Sequence, residues 1–335
     1  MGDSPIFIVG TPRSGTTLTA QILDRHPRIM MPGENHFFED IYARRKELGD
    51  PTDPAAKERI IQRLLTIYGR YNQPADQERV DALLEEHDLF PQLNYGTSSY
   101  KDILDRFMEI QLKQAKKTRW GNNAPKDLFH VEEILAFYPE AKFLICVRDV
   151  RDFLLSYKDR WKVTTQAHKD RLKRLYHPVL TSLLWKASMK RIPKLEQQIP
   201  RKNLMIVRYE DLVTDTEQVV RNICEVVGED FLPEMLNVQT HNSSDGAGRK
   251  GIFSSSIGKW RDKLPAEEAA IAQWIGGNEL MYLGYRLESI EINRMAMTKA
   301  IVQFPAAAIR AFKANAANRG PLLQYLSKRL TAMLG

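Results

Sequence analysis

The chain lacks any apolar run of the roughly 18 residues that a membrane-crossing helix needs. Cysteine is almost missing too. Cys146 sits inside an apolar run and Cys224 in a helix-like segment, and neither belongs to a CxxC or Cys/His cluster. This usage argues against a disulfide framework or a structural zinc site and suits a reducing, cytoplasmic setting. Met1-Gly2-Asp3-Ser4 leads directly into an apolar segment, so no secretory leader is expected, and the residues after Gly2 make a poor myristoylation signal. The body of the chain has no basic stripe with interleaved aromatics, so no nucleic-acid partner is expected. The formal charge of +7 belongs to the tail: residues 286–335 carry eight Lys/Arg against two Asp/Glu, and everything before Arg286 is close to neutral. Hydrophobic and charged contents of 43% and 27% are ordinary for a soluble globular protein with one large domain or two small ones.

What is present is an anion cradle near the start. Ile6 to Val9 is a short apolar run suited to a buried strand. Gly10 to Gly15 is a tight polar loop, and Thr16 to Asp24 reads as a helix with Leu18, Ile22 and Leu23 on one face. Glycines let backbone amides approach an oxyanion, and a helix start adds unpaired donors and partial positive charge. The spacing Gly10-x4-Gly15 is that of a P-loop, but Thr16 stands where the lysine of that motif belongs. The nearby cation is Arg13. The loop is built for phosphate but poorly suited to the β/γ-phosphates of ATP.

The remaining chain alternates strand and helix signals. Ile29 to Met31 predicts a second strand, followed by the turn Pro32-Gly33 and by Glu34 just past a strand end, where ligands meet open α/β sheets. A solvated loop glutamate is the plainer reading of Glu34. Residues 40–118 are charged and helical, with helices expected over 54–71, over 77–87 and from Tyr100 behind a Ser99 cap. Trp120 to Pro125 reads as a polar loop, and Asp127 to Tyr138 as a helix. Lys142 to Val147 is the best strand in the chain and ends in Arg148-Asp149-Val150-Arg151-Asp152. Arg148 at that strand end and Ser156, two turns into the next helix, are able to face one phosphate; a salt bridge to Asp149 or Asp152 is the alternative for Arg148. A long helix is expected over 178–197, a strand over 203–207 ending in Arg208-Tyr209, and a helix from Thr216 closed by Gly228. Arg249 to Arg261 is basic and rich in glycine and serine, as a loop closing over an anion would be. A further helix is expected over 265–274. The order predicts an α/β fold with a P-loop-like parallel sheet flanked by helices, a helical insertion after the second strand and a helical C-terminal tail. Residues 1–287 then form the catalytic domain and 288–335 basic amphipathic helices.

Three stretches together resemble the sulfotransferases that use 3′-phosphoadenosine 5′-phosphosulfate (PAPS). Thr11-Pro12-Arg13-Ser14-Gly15-Thr16-Thr17-Leu18 is similar to that family's 5′-phosphosulfate loop, Val147-Arg148-Asp149 through Ser156 to its 3′-phosphate site, and Arg249-Lys250-Gly251 through Gly258-Lys259-Trp260 to its loop over the nucleotide. The resemblance covers about residues 5–285 and is closest to the bacterial and tyrosylprotein types, where a glutamate soon after the first helix is the base. It implies Glu34 as base, with His36 as the alternative. It implies Arg13, Ser14, Gly15, Thr16, Thr17, Arg148, Ser156, Tyr209, Arg249, Lys250, Gly251 and Lys259 as contacts to PAPS. Many relatives carry Trp-Gly-Asp/Glu-Lys-Thr-Pro where this chain has Trp120-Gly121-Asn122-Asn123-Ala124-Pro125, so Asn123 replaces a lysine. Either Lys126 or Arg13 alone then supplies that charge.

The implied reaction is in-line sulfuryl transfer to a hydroxyl of a carbohydrate, lipid or other small molecule rather than of a protein tyrosine, with no metal required, since no carboxylate pair is placed for Mg²⁺. Phe37, Phe38 and the helical insertion would line the acceptor pocket. A P-loop kinase and a non-catalytic scaffold held by its tail are the competing readings. The tail holds two apolar groups, Met295 to Phe312, broken by Pro305, and Leu322 to Leu334. They are expected to pack on the catalytic domain or a second subunit, or to touch a membrane surface.

Overall fold

The computed structural model describes residues 4–71, 89–160, 166–238 and 251–316, together with Ser327. The helix expected over 77–87, the residues Arg249 and Lys250, and the leucines beyond 316 lie outside the described residues. Five strands, β1 (Ile6–Gly10), β2 (Ile29–Met30), β3 (Arg119–Asn123), β4 (Lys142–Val147) and β5 (Leu204–Arg208), form one sheet in the order β2-β3-β1-β4-β5, with every pairing parallel. Both faces are covered, which is why β1 and β4 read as nearly unbroken apolar runs. Phe7 and Val9 of β1 join the larger core, whereas Ile6 and Ile8 point into the smaller one with Leu144, Cys146 and Val207. The smaller core is closed by α1 (Thr16–Asp24) and by a later helix, Thr216–Val227.

The strand β3 corrects the sequence reading. Trp120 to Asn123, a loop by composition, runs between β2 and β1, with Ile6, Phe7 and Ile8 opposite Gly121, Asn122 and Asn123. Glycine and asparagine have low strand preference, so local propensity gave no signal and tertiary pairing decided. A side chain at Gly121 would strike the Met31 sulfur at 2.4 Å. The residues after β3 form a 3₁₀ turn (Pro125–Phe129) and then a helix (Val131–Phe137) rather than one long helix.

The helical insertion appears as α2 (Pro54–Tyr71), a short helix (Leu89–Asn94) and α3 (Tyr100–Ala115). Ser99 caps α3 reciprocally with Asp102. Ile60, Ile61, Leu64, Ile103, Leu104 and Phe107 fix it to the larger core. After β4 come α4 (Val150–Lys158), α5 (Gln166–Leu175) and α6 (Pro178–Met189). The helix expected over 178–197 stops at Met189 and restarts at Ile192, with Pro193 tolerated in the new first turn. Next come α7 (Thr216–Val227) and α8 (Ala266–Tyr282), the latter two turns longer than its sequence reading. The last helix with described bounds is α9 (Arg294–Ala316), which runs through Pro305 instead of breaking there.

Candidate active site

The cradle forms where β1 ends. Gly10 has φ 141°, and a Cβ there would sit 2.2 Å from the Cys146 carbonyl oxygen on β4, so only glycine lets the chain leave the sheet at this point. The loop then turns through Arg13, which has a left-handed φ of 73°, and Gly15, with φ 89°, which caps α1. Thr11 and Ser14 pair through their hydroxyls. The Arg13 Nε donates to Ser156 Oγ of α4 at 3.1 Å. The first turn of α1 faces the same cleft through Thr16, Thr17 and Leu18, so its amides and its dipole meet whatever enters.

Arg148 completes the cation pair. It leaves β4 with only 7% exposure, donates to the Arg13 carbonyl at 3.2 Å and the Ser256 carbonyl at 3.0 Å, and stacks 4.3 Å over the Tyr209 ring. Its Nε is buried without a hydrogen-bond partner among the described residues. Its acidic neighbours are engaged elsewhere. Asp149 holds Arg151 at 2.9 and 2.6 Å, and Asp152 accepts from the amides of Gly258 at 2.6 Å and Trp260 at 3.0 Å. Burial, then the charges of Arg148 and Arg160, push the Arg13 guanidinium down to about 10 despite some help from Tyr209. An anion placed among these arginines relieves that strain.

A second polar cluster sits across the cleft. Glu34, with its side chain 35% exposed, lies 3.1 Å from His36 Nε2, and His36 Nδ1 lies 2.6 Å from Glu39. Lys126 donates to the same Glu39 oxygen at 2.7 Å. Burial alone would lower the His36 pKa, but Glu34 and Glu39 outweigh it and push it up to about 9. Desolvation works against the charge of the half-buried Glu39, yet Lys126 and His36 hold it well below the usual carboxylate range. Asp127, buried and close to Glu39, is pushed well above that range and accepts from Asn122 at 2.9 Å. Asn123 is buried beside it, at 7% exposure.

The raised His36 pKa has a testable consequence. A pKa raised on folding stabilises the protein below the unfolded value near 6.5, and that contribution disappears as pH rises through 9. His36→Gln should therefore cost on the order of 3 kcal/mol at pH 6, with the gap to the parent closing by pH 10. Urea unfolding of both proteins across that range checks it; a gap independent of pH would refute the ion cluster.

Arg13, Gly15, Thr16, Thr17, Glu34, His36, Lys126, Arg148, Ser156, Tyr209, Gly251 and Lys259 all line one cleft of about 290 Å³. Four contributions escaped the sequence reading. Lys263 lies one turn beyond Lys259 on the same cleft wall. Ser256 bonds Tyr209 at 2.6 Å, Asp152 anchors the closing loop, and Arg160 adds positive charge beside Arg13. Asp152 and Ser256 lie inside the stretches singled out in the sequence, and Arg160 and Lys263 just beyond them. Phe37 and Phe38 do not line the cleft as expected: both are wholly buried, against Phe7 and Phe137. None of the described residues 40–118 lines this cleft, and Ile60, Ile61, Leu64, Ile103, Leu104 and Phe107 of the insertion pack into the larger core. Among the described residues no group of three His, Cys, Asp or Glu side chains converges as a metal site would require.

Comparison with known proteins agrees with this geometry. Residues 5–233 match the family model described as the sulfotransferase family. Nodulation protein NoeE of Sinorhizobium fredii is 24% identical over 83% of this chain and 65% of its own length. Protein-tyrosine sulfotransferase 2 of Gallus gallus is 26% identical over 81% of this chain and 63% of its own. The chain spans between 30% and 65% of the length of the curated relatives it matches. The solved sulfotransferase domain of the Synechococcus PCC 7002 olefin synthase superposes with a TM-score of 0.53 at 23% identity, covering 85% of this chain and 97% of that one, which shows a shared fold.

Proposed function

Because this chain belongs to the sulfotransferase family, we propose that it transfers a sulfuryl group from PAPS to a hydroxyl of a carbohydrate, lipid or other small molecule. The observation that carries the reading is the pair of guanidinium groups on one cleft: Arg13 depressed by desolvation and then by its cationic neighbours, and Arg148 with a buried Nε that has no hydrogen-bond partner among the described residues. Two phosphate groups at the two ends of one nucleotide suit two such cations. Arg13 and the start of α1 hold the 5′-phosphosulfate; Arg148 and Ser156 hold the 3′-phosphate, with Lys259 and the Gly251 loop closing above. Leu18, Ile252 and Phe253 offer the apolar wall a purine needs.

The acceptor oxygen attacks sulfur, the bond from sulfur to the phosphate oxygen breaks, and the acceptor proton passes to Glu34. Charge gathering on the leaving phosphate meets Arg13 and the helix start. Lys126, tied to Glu39, adds positive field from the opposite side but shares its charge. His36 carries both ring protons at neutral pH, so its part is to orient Glu34, not to accept the proton.

Adenosine 3′,5′-bisphosphate without metal should raise the melting temperature by about 4 °C at a hundredfold excess over Kd. ATP with Mg²⁺ should not. A larger response to ATP with Mg²⁺ would favour a kinase and overturn the assignment. Labelled PAPS with an extract of candidate acceptors then reads transfer directly.

A further inference from the structure

Among the described residues, helix α9 is anchored on one side. It packs along α5, α6 and α8. Ala307 and Ala311 are buried, at 1% and 7% exposure, and Phe304 meets the His177 ring at 6.1 Å. The opposite side is apolar and open. Met295, Val302 and Ile309 are 83%, 72% and 58% exposed and recur every seven residues, so they stack along one line of the helix. Phe312 and Ile301, 46% and 41% exposed, widen that ridge. Lys299 and Arg310 run along its edge, and Arg294 and Lys313 lie within the same exposed arc. Residues 294–316 contain no Asp or Glu. Lys173 and Arg174 are exposed on the adjoining α5, which extends the basic surface.

We propose that this face of α9 lies on the surface of an anionic lipid bilayer. Met295, Val302 and Ile309 enter the boundary between headgroups and acyl chains, and the flanking cations meet the lipid phosphates. No described helix is long and apolar enough to cross a membrane, so the helix lies in the interface plane. A second copy of the chain is the poorer occupant. A two-fold contact through this face would set Lys299, Arg310 and Lys313 against their own equivalents, with no carboxylate on the helix to offset them. On an anionic surface each of these cations instead strengthens binding by about fivefold. The buried alanine side holds the helix to the body, so the apolar ridge is already formed and faces outward.

The test is flotation of the full chain with vesicles of phosphatidylcholine alone or with about 30% phosphatidylserine. Binding is expected only to the anionic vesicles, and it should weaken as salt rises. Val302→Glu with Ile309→Glu should cut binding at least tenfold (an order-of-magnitude expectation) with the melting temperature unchanged. Lys299→Glu with Arg310→Glu should do so by a similar factor through charge alone. Equal binding of parent and variants, or no binding to anionic vesicles, would overturn the proposal. So would self-association of the parent by sedimentation that the glutamate variants abolish. A fall of more than about 5 °C in the Val302/Ile309 variant would mean the face is already covered, and would overturn it too. None of these readouts depends on sulfuryl transfer.

Discussion

Replacing Glu34 with Gln should lower kcat by about 10²–10⁴-fold while leaving the affinity for adenosine 3′,5′-bisphosphate within about twofold of the parent. The substitution keeps the shape and removes only the capacity to accept a proton. Its structural cost is small, because the Glu34 side chain is 35% exposed and His36 keeps Glu39 at 2.6 Å. The large effect arises because the other titratable groups of this cluster are poorly placed to take the proton. The Glu39 carboxylate is held as an anion by its contacts with Lys126 and His36. Asp127 is wholly buried and is bonded to Asn122, so it does not face the cleft. His36 is already protonated at neutral pH. Turnover equal to the parent would remove Glu34 from the mechanism. A drop in turnover together with an equal drop in nucleotide affinity would make it a structural residue.

Arg148→Ala should weaken binding of adenosine 3′,5′-bisphosphate by about 10²-fold, the size of a lost charge-assisted, forked contact. Binding of adenosine 5′-monophosphate should change by no more than about threefold. The ratio matters more than either loss. Arg148 also joins the Arg13 carbonyl to the Ser256 carbonyl and stacks on Tyr209, so truncation loosens both loops and weakens every nucleotide somewhat. Only the 3′-phosphate contact is selective. Arg148→Lys keeps the charge but not the fork, and should fall between the two. Titration calorimetry with both nucleotides decides; an equal loss for each would refute the 3′-phosphate role.

Legibility in the sequence divides simply. The strands β1, β4 and β5 and the anion loop were legible because local chemistry specifies them: β-branched runs for the strands, glycine at forced backbone turns for the loop. Arg148 and Ser156 were legible because a strand end and a helix two turns long fix their relation. Strand β3 was not, because Gly121, Asn122 and Asn123 are there for close packing against Met31 and for polar residues at the strand end. The contacts of Asp152 with Gly258 and Trp260 span more than 100 positions and carry no local signal. Phe37 and Phe38 misled in the opposite way. Two adjacent aromatics after a candidate base suggest a pocket wall, but a π-helical turn over Phe37–Ile41 buries both in the core. The alanines that dock α9 were equally silent, since small residues register as weakly apolar wherever they stand.

The sheet order has one more consequence, for how the chain is made. β1 is synthesised first, yet its two neighbours are β3 and β4, whose last residues are Asn123 and Val147. At usual rates of translation the interval between β1 and β4 lasts on the order of ten seconds. Until β3 is made the apolar strand Ile6–Gly10 has both edges open, which is when parallel strands are most exposed to wrong partners. The segment made meanwhile contains α2 and α3, whose contacts are local and quick to form. Both help build the core cluster that receives Phe7 and Val9, so the intervening helices supply a shelter for the oldest strand before its permanent neighbours exist.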